Sequence, residues 1–148
     1  MGQPFRLGWV AVMVVLTACA GPRSAPVMTR SAPGDANLGQ LVRDFYSAVD
    51  ERRYQDAYAY LSEAARDQQP LGDFARPFDS LVRIDVRWVD SVTVEGTTAS
   101  LVAHTASTSK GQPPGVGACS RVRWALVFED GAWKRESAVP TAEDCVGG

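Results

Sequence analysis

The sequence predicts an α+β domain in which a curved antiparallel sheet wraps the helices that precede it. One change of period and one turn carry that prediction. Across residues 37–65, apolar residues recur at spacings of three and four, as on a helix with one buried stripe. From Ile84 onward they recur every second residue, as on a strand with one buried face. Asp130-Gly131, set between alternating apolar residues, is a strong hairpin turn.

The amino end is an address. Arg6 precedes the apolar run Leu7-Gly8-Trp9-Val10-Ala11-Val12-Met13-Val14-Val15, which closes on Leu16-Thr17-Ala18-Cys19. A positive start, a short apolar stretch and small residues before a cut make a secretory signal. The run is shorter than the ~20 residues that a membrane span needs. Its end resembles the bacterial lipobox (aliphatic, small, small, cysteine). That resemblance implies a lipoprotein signal peptide over residues 1–18, acylation of Cys19 and a mature amino end there. It places the protein on the extracytoplasmic side of the cell membrane, where two or more fatty chains, palmitate among them, anchor stably. The compartment is oxidising. Of three cysteines, lipid takes Cys19, which leaves Cys119 and Cys145 as the internal disulfide.

Residues 19–36 read as a disordered tether. They are rich in Ala, Pro, Ser and Gly and have no period, so they bury too little apolar area to offset chain entropy. Helical order is predicted from Asn37, whose side chain and that of Gln40 suit a variant capping box. Leu38, Leu41, Val42, Phe45, Tyr46 and Val49 form one stripe. Charges at Asp50 to Arg53 interrupt it, and Tyr54, Ala57, Tyr58, Leu61 and Ala65 form a second. Two helices or one bent helix fit equally. Phe74, Phe78 and Leu81 suggest a short further helix, limited by Pro77.

Ile84, Val86, Trp88, Val92 and Val94 share one parity of the first strand, with a bulge suspected at Asp90-Ser91. Glu95-Gly96-Thr97 turns the chain into a second strand over residues 98–108. A Gly- and Pro-rich stretch over residues 109–118 reads as an exposed loop. Residues 119–129, with Val122, Trp124, Leu126 and Phe128 on one side, form the third strand. Residues 132–139 return as the fourth. The tail from Pro140 has Cys145 as its one apparent constraint, and its bridge to Cys119 pins it to the third strand.

Composition bounds the function. Hydrophobic and charged shares of 45% and 22% are ordinary for a globular chain. A net charge of −2 argues against nucleic acid, which needs a basic footprint. No second apolar run is long enough to span a bilayer.

The order of elements, with Phe45-Tyr46-Ser47-Ala48-Val49, then Tyr54-Gln55-Asp56-Ala57-Tyr58-Ala59-Tyr60-Leu61-Ser62 and the hairpin Val127 to Lys134, resembles the NTF2-like (cystatin-like cone) superfamily. The resemblance is especially to small bacterial lipoproteins with that domain, and residues 37–148 would form it. These are core and turn signatures. The superfamily holds enzymes, binding modules and spacers, so the fold leaves function open.

Within that likeness, isomerases and cyclases use polar side chains that project into the cone. The candidates here are Tyr46, Tyr58, Trp88, Trp124 and His104, an aromatic lining with a polar contact that suits a small ligand. Asp90 is a candidate base if it points inward. His104 is the sole histidine, so a metal site is not expected and no catalytic residue is assigned. Arg83, Arg87, Arg121 and Arg123 lie on the parity opposite the core and suit a basic band facing a protein or an anionic envelope polymer. Tyr60 falls off the helical stripe and reads as exposed.

The expectation is therefore a membrane-anchored envelope lipoprotein whose domain binds a protein partner or an apolar ligand without catalysis. No cofactor is expected. The alternatives are a small cone-pocket enzyme of isomerase, cyclase or dehydratase type, and a structural spacer or homodimer paired through the outer sheet face.

Overall fold

Four long strands run in chain order across one antiparallel sheet: β1 (Leu81–Glu95), β2 (Thr98–Ser109), β3 (Ala118–Glu129) and β4 (Ala132–Glu143). The computed structural model describes residues 38–113 and 116–145. The expected signal peptide, Cys19, the tether and the Asn37 cap lie outside the described residues. Among those described, no helix is long and apolar enough to cross a membrane.

The helix α1 (Leu38–Asp50) buries Leu38, Val42, Phe45, Tyr46, Ala48 and Val49 and lies against β1. This is the stripe its sequence spacing dictates. The two-helix alternative is the one found, because α1 ends sharply. Arg52 takes a positive φ of 62°. The Arg53 amide then donates to Ala48 O at 2.8 Å and the Arg52 amide to Val49 O at 3.1 Å, the paired bonds of a Schellman end. Arginine stands where glycine is usual, and its side chain explains why. The Arg52 guanidinium donates to Phe78 O at 2.8 Å and to Leu81 O, tying the helix end to the start of β1.

Short helices follow: α2 (Tyr54–Tyr58), α3 (Glu63–Gln68) and α4 (Leu71–Ala75), the last running into a 3-10 turn, Arg76–Phe78. Ser62 caps α3 by accepting from the Ala65 amide at 3.1 Å. Between α2 and α3, Leu61 makes a parallel bridge to Arg135 on β4. The Arg135 amide donates to Tyr60 O at 2.7 Å and the Ser62 amide to Arg135 O at 2.9 Å. The helical layer is thus tied to the sheet at two points, Arg52 and Leu61. Leu81, expected on the short helix, instead opens β1.

The core lies between α1 and the inner face of the sheet. Trp124, Leu126, Leu101 and Ala103 project from β2 and β3 onto Phe45 and Phe74. Asp130 and Gly131 take φ of 51° and 80°, the left-handed pair that the β3–β4 hairpin requires. Three departures from the expected strands matter for function. The register shifts between Val86 and Trp88, so Arg87 and Trp88 together oppose His104 and the alternation reverses. A second shift, between Asp90 and Thr93, lies where a bulge was expected and carries Ser91 at φ 52°. As a result Val92, expected on the buried face, is exposed. Finally, β4 continues through Pro140 to Glu143, further than expected. Proline is tolerated because β4 is an edge strand.

Candidate functional site

The five residues expected to line the cone divide between the two faces of the sheet. On the inner face, Phe45, Tyr46, Phe74 and Trp124 meet edge to face, with the Phe45 and Trp124 centroids 5.0 Å apart. Tyr58 sits at the margin, tilted against Phe74 at 5.5 Å, and its hydroxyl donates to Gln69 O at 3.0 Å. Tyr60, expected to be exposed, is half-buried and edge-on to Phe45 at 6.4 Å.

A residue the sequence reading passed over lies in this cluster. The Arg135 guanidinium is 4.7 Å from the Phe45 ring centre, 5.5 Å from Phe74 and 5.6 Å from Trp124. Arg135 pairs opposite Leu126, so it shares the inward parity of Trp133. Its Nε is buried without a hydrogen-bond partner, as is Trp124 Nε1. Burial lowers the Arg135 pKa from its ordinary value, and the nearby Tyr46 opposes this. Burial likewise raises the Tyr46 phenol, while the Trp124 indole and Arg135 pull it back. The indole and the phenol are neighbours, but no geometrically complete hydrogen bond joins them.

A buried cation costs several kcal/mol of desolvation, and contact with aromatic faces returns about 0.5–2 kcal/mol. Arg135→Met should therefore hold or raise the stability of the domain in urea titrations. A loss above about 1 kcal/mol would show that the ring contacts outweigh desolvation.

Beside Tyr46, an open cleft of about 260 Å³ separates α1 from β1 and is lined by Arg43, Asp50, Arg83 and Asp85. Asp50 is occupied there, accepting from the Ile84 amide at 2.8 Å.

The outer face holds the other two residues. Trp88, expected inward, and His104, whose parity opposite to Leu101 suits the sheet surface as well as the cone lining, stand on the opposite side of the sheet from Tyr46 and Trp124. The physical reason is the extra residue at Arg87 together with the even parity of His104, whose neighbours Leu101 and Ala103 fill the core. The Trp88 indole stacks on the His104 imidazole, centroids 4.3 Å apart and planes 16° from parallel. Asp90 Oδ2 lies 3.1 Å from His104 Nε2, and Glu143 Oε1 lies 2.8 Å from His104 Nδ1. A neutral ring donates to one of these carboxylates, whereas a doubly protonated ring donates to both. His104 is nearly buried, although the face is exposed, while Trp88 is 45% exposed.

Asp90 therefore points outward and does not serve the cone as a base. A hydrogen bond from Ser91, then the His104 charge, hold its carboxyl below the ordinary value against slight desolvation. Whatever stability this adds is present above the ordinary carboxyl range and is lost as pH falls through the depressed value. Among the described residues, no group of three or more His, Cys, Asp or Glu is placed to hold a metal ion.

Cys119 and Cys145 are joined, with an S–S distance of 1.97 Å and a Cα–Cα distance of 5.2 Å. Glu143 lies two residues before Cys145 and pairs with Cys119 in the ladder. The bridge thus fixes the strand end that delivers Glu143 to His104. A recess of about 100 Å³ lies here, lined by Arg87, Trp88, Glu143 and the disulfide.

The four arginines are all exposed, but they do not form one band. Arg121 and Arg123 oppose His104 and Val102 across β2, Arg87 lies on the first bulge, and Arg83 pairs with Thr108 near the far end of the sheet. The strands β1 and β3 do not pair, because β2 lies between them.

No family model matches the chain, and no curated protein matches it. Solved structures do. A SEC-C motif containing protein from Rhodopseudomonas palustris matches with a TM-score of 0.54 at 13% identity, over 67% of this chain and 74% of that one. A candidate scytalone dehydratase from Novosphingobium aromaticivorans matches with a TM-score of 0.52 at 12% identity, over 71% of this chain and 80% of that one. The fold is the NTF2-like cone. At such identities the likeness is one of fold alone, and chemistry has to be argued from this chain's own side chains.

Proposed function

We propose that the chain is an envelope lipoprotein, held at the membrane by acylated Cys19, whose NTF2-like domain is a non-catalytic binding module working through the outer face of its sheet. One observation carries this reading. The cone is filled by Phe45, Phe74, Trp124 and Leu126, each at most 1% exposed, while an ordered aromatic and charged cluster stands on the opposite, accessible face. The Asp90 carboxylate is half exposed, and an ion pair open on that side adds little stability. A histidine held at both nitrogens beneath a half-exposed tryptophan is better explained by recognition than by folding.

The anchor is tested by intact mass. Wild type should carry a diacylglyceryl increment on Cys19, and Cys19→Ala should be unacylated and leave the membrane fraction. The surface is tested by a photo-crosslinker at position 88, expected to capture an envelope component. Charge reversal at Arg121 and Arg123 should abolish that capture and change stability by no more than about 0.5 kcal/mol. Capture that survives reversal would remove these arginines from the surface.

A second reading, a small cone-pocket enzyme of isomerase, cyclase or dehydratase type, is favoured by the α1–β1 cleft beside Tyr46 and by the name of one structural neighbour. Tyr46→Phe separates the readings, since it would remove such an activity and leave outer-face capture intact.

A further inference from the structure

Resting on the binding-module reading, we infer that the Trp88–His104 cluster is a saccharide platform that takes a neutral pyranose ring. Three features of the cluster lead there. First, it presents a flat aromatic face. One side of the indole is covered by the imidazole at 4.3 Å, and no ring covers the other side among the described residues. The axial C–H groups of a sugar form an apolar face of matching size, and tryptophan offers a large surface with few torsions to freeze.

Second, the platform is rigid before any ligand arrives. Two carboxylates hold His104, one from β1 and one from β4, and the Cys119–Cys145 bridge secures the second. A preorganised side chain loses less freedom on binding. Carboxylates accept more than one hydrogen bond each, so Asp90 and Glu143 fix the ring and remain acceptors for hydroxyls.

Third, the charges around Trp88 are mixed. Glu143 and Asp144 stand beside Arg87 in the recess, Asp90 is held on His104 next to it, and Arg121 faces His104 across the ladder. A strongly anionic polymer would meet three carboxylates, and a cationic peptide would meet two guanidinium groups. A neutral ligand with an apolar face and a rim of hydroxyls meets neither repulsion, and it uses both donors and acceptors. The recess of about 100 Å³ is too small to enclose a drug-sized ligand, and it suits a substituent of a ring lying across the surface.

The test uses the full chain in detergent micelles, labelled with nitrogen-15 and titrated with the trimer of β-1,4-linked N-acetylglucosamine and, separately, with maltotriose. At least one trimer should shift the Trp88 indole N–H signal in the millimolar range and leave that of buried Trp124 still. Trp88→Ala should weaken binding at least about tenfold, Trp88→Phe should retain part of it, and Glu143→Gln should weaken it while the fold persists by circular dichroism. Failure of both trimers to move the Trp88 signal overturns the saccharide assignment, as does equal affinity in Trp88→Ala. If the sugars fail while the position-88 crosslinker still captures an envelope protein, the binding-module reading stands and the ligand class alone falls. If both fail, so does the reading it rests on.

Discussion

Trp124→Ala is expected to destabilise the domain by about 3–5 kcal/mol, enough to unfold a marginal protein of this size. The indole is fully buried, lies 5.0 Å from Phe45 and 5.8 Å from Tyr46, and forms part of the enclosure around Arg135. Its removal leaves a void between α1 and β3 and admits water to a guanidinium now held among rings. Neighbours from two layers meet there, so collapse around the void is limited. Trp88→Ala is the internal comparison. That side chain is 45% exposed, and its loss should cost less than about 1 kcal/mol. Urea denaturation followed by circular dichroism checks both. A Trp124→Ala variant within about 1.5 kcal/mol of wild type would show that the cone does not depend on its aromatic centre.

Opening the disulfide is the second large effect. Cys119 and Cys145 are 26 residues apart, and a loop of that length adds roughly 3–4 kcal/mol in the chain-entropy model. Paired alanines, or reduction of the wild type, should lower the melting temperature by more than about 10 °C. The damage should also be local. Glu143 sits between β4 and the bridge, so its freed carboxylate should drift from His104 Nδ1 and loosen the Trp88 stack. Trp88 fluorescence, isolated by comparison with Trp88→Phe, should report that change at temperatures where far-ultraviolet dichroism is still native. An unchanged signal would mean that the ladder alone holds the end of β4.

Much of the architecture was legible because its signals are periodic. The α1 stripe needed only the spacing of Leu38, Val42, Phe45 and Val49, and the β3–β4 hairpin needed only Asp130-Gly131 between alternating strands. The misread residues lie where one inserted position breaks a period. Ile84, Val86 and Trp88 alternate without fault in the sequence, so the extra residue at Arg87 gives no sign, and the tryptophan looks like core. Its cost is small because the indole recovers contact area on His104. Arg135 was hidden for the opposite reason. A charged residue on an inward parity reads as an error of register, yet Trp133 two positions earlier carried the signal that the face is buried. Glu143 was missed because Pro140 suggested an end to the strand, and on an edge strand proline imposes none. The outer-face cluster draws on β1, β2 and β4, and no local pattern announces that combination.

Each strand after the first pairs with the strand before it in the chain, and three hairpins need no partner from afar. Such a meander can zip up in the order in which it is delivered. The Leu61–Arg135 bridge spans most of the domain, so this tie between the helical layer and the sheet can close only when β4 has emerged. For a chain that emerges from its amino end, the last strand is then the clasp that closes the cone.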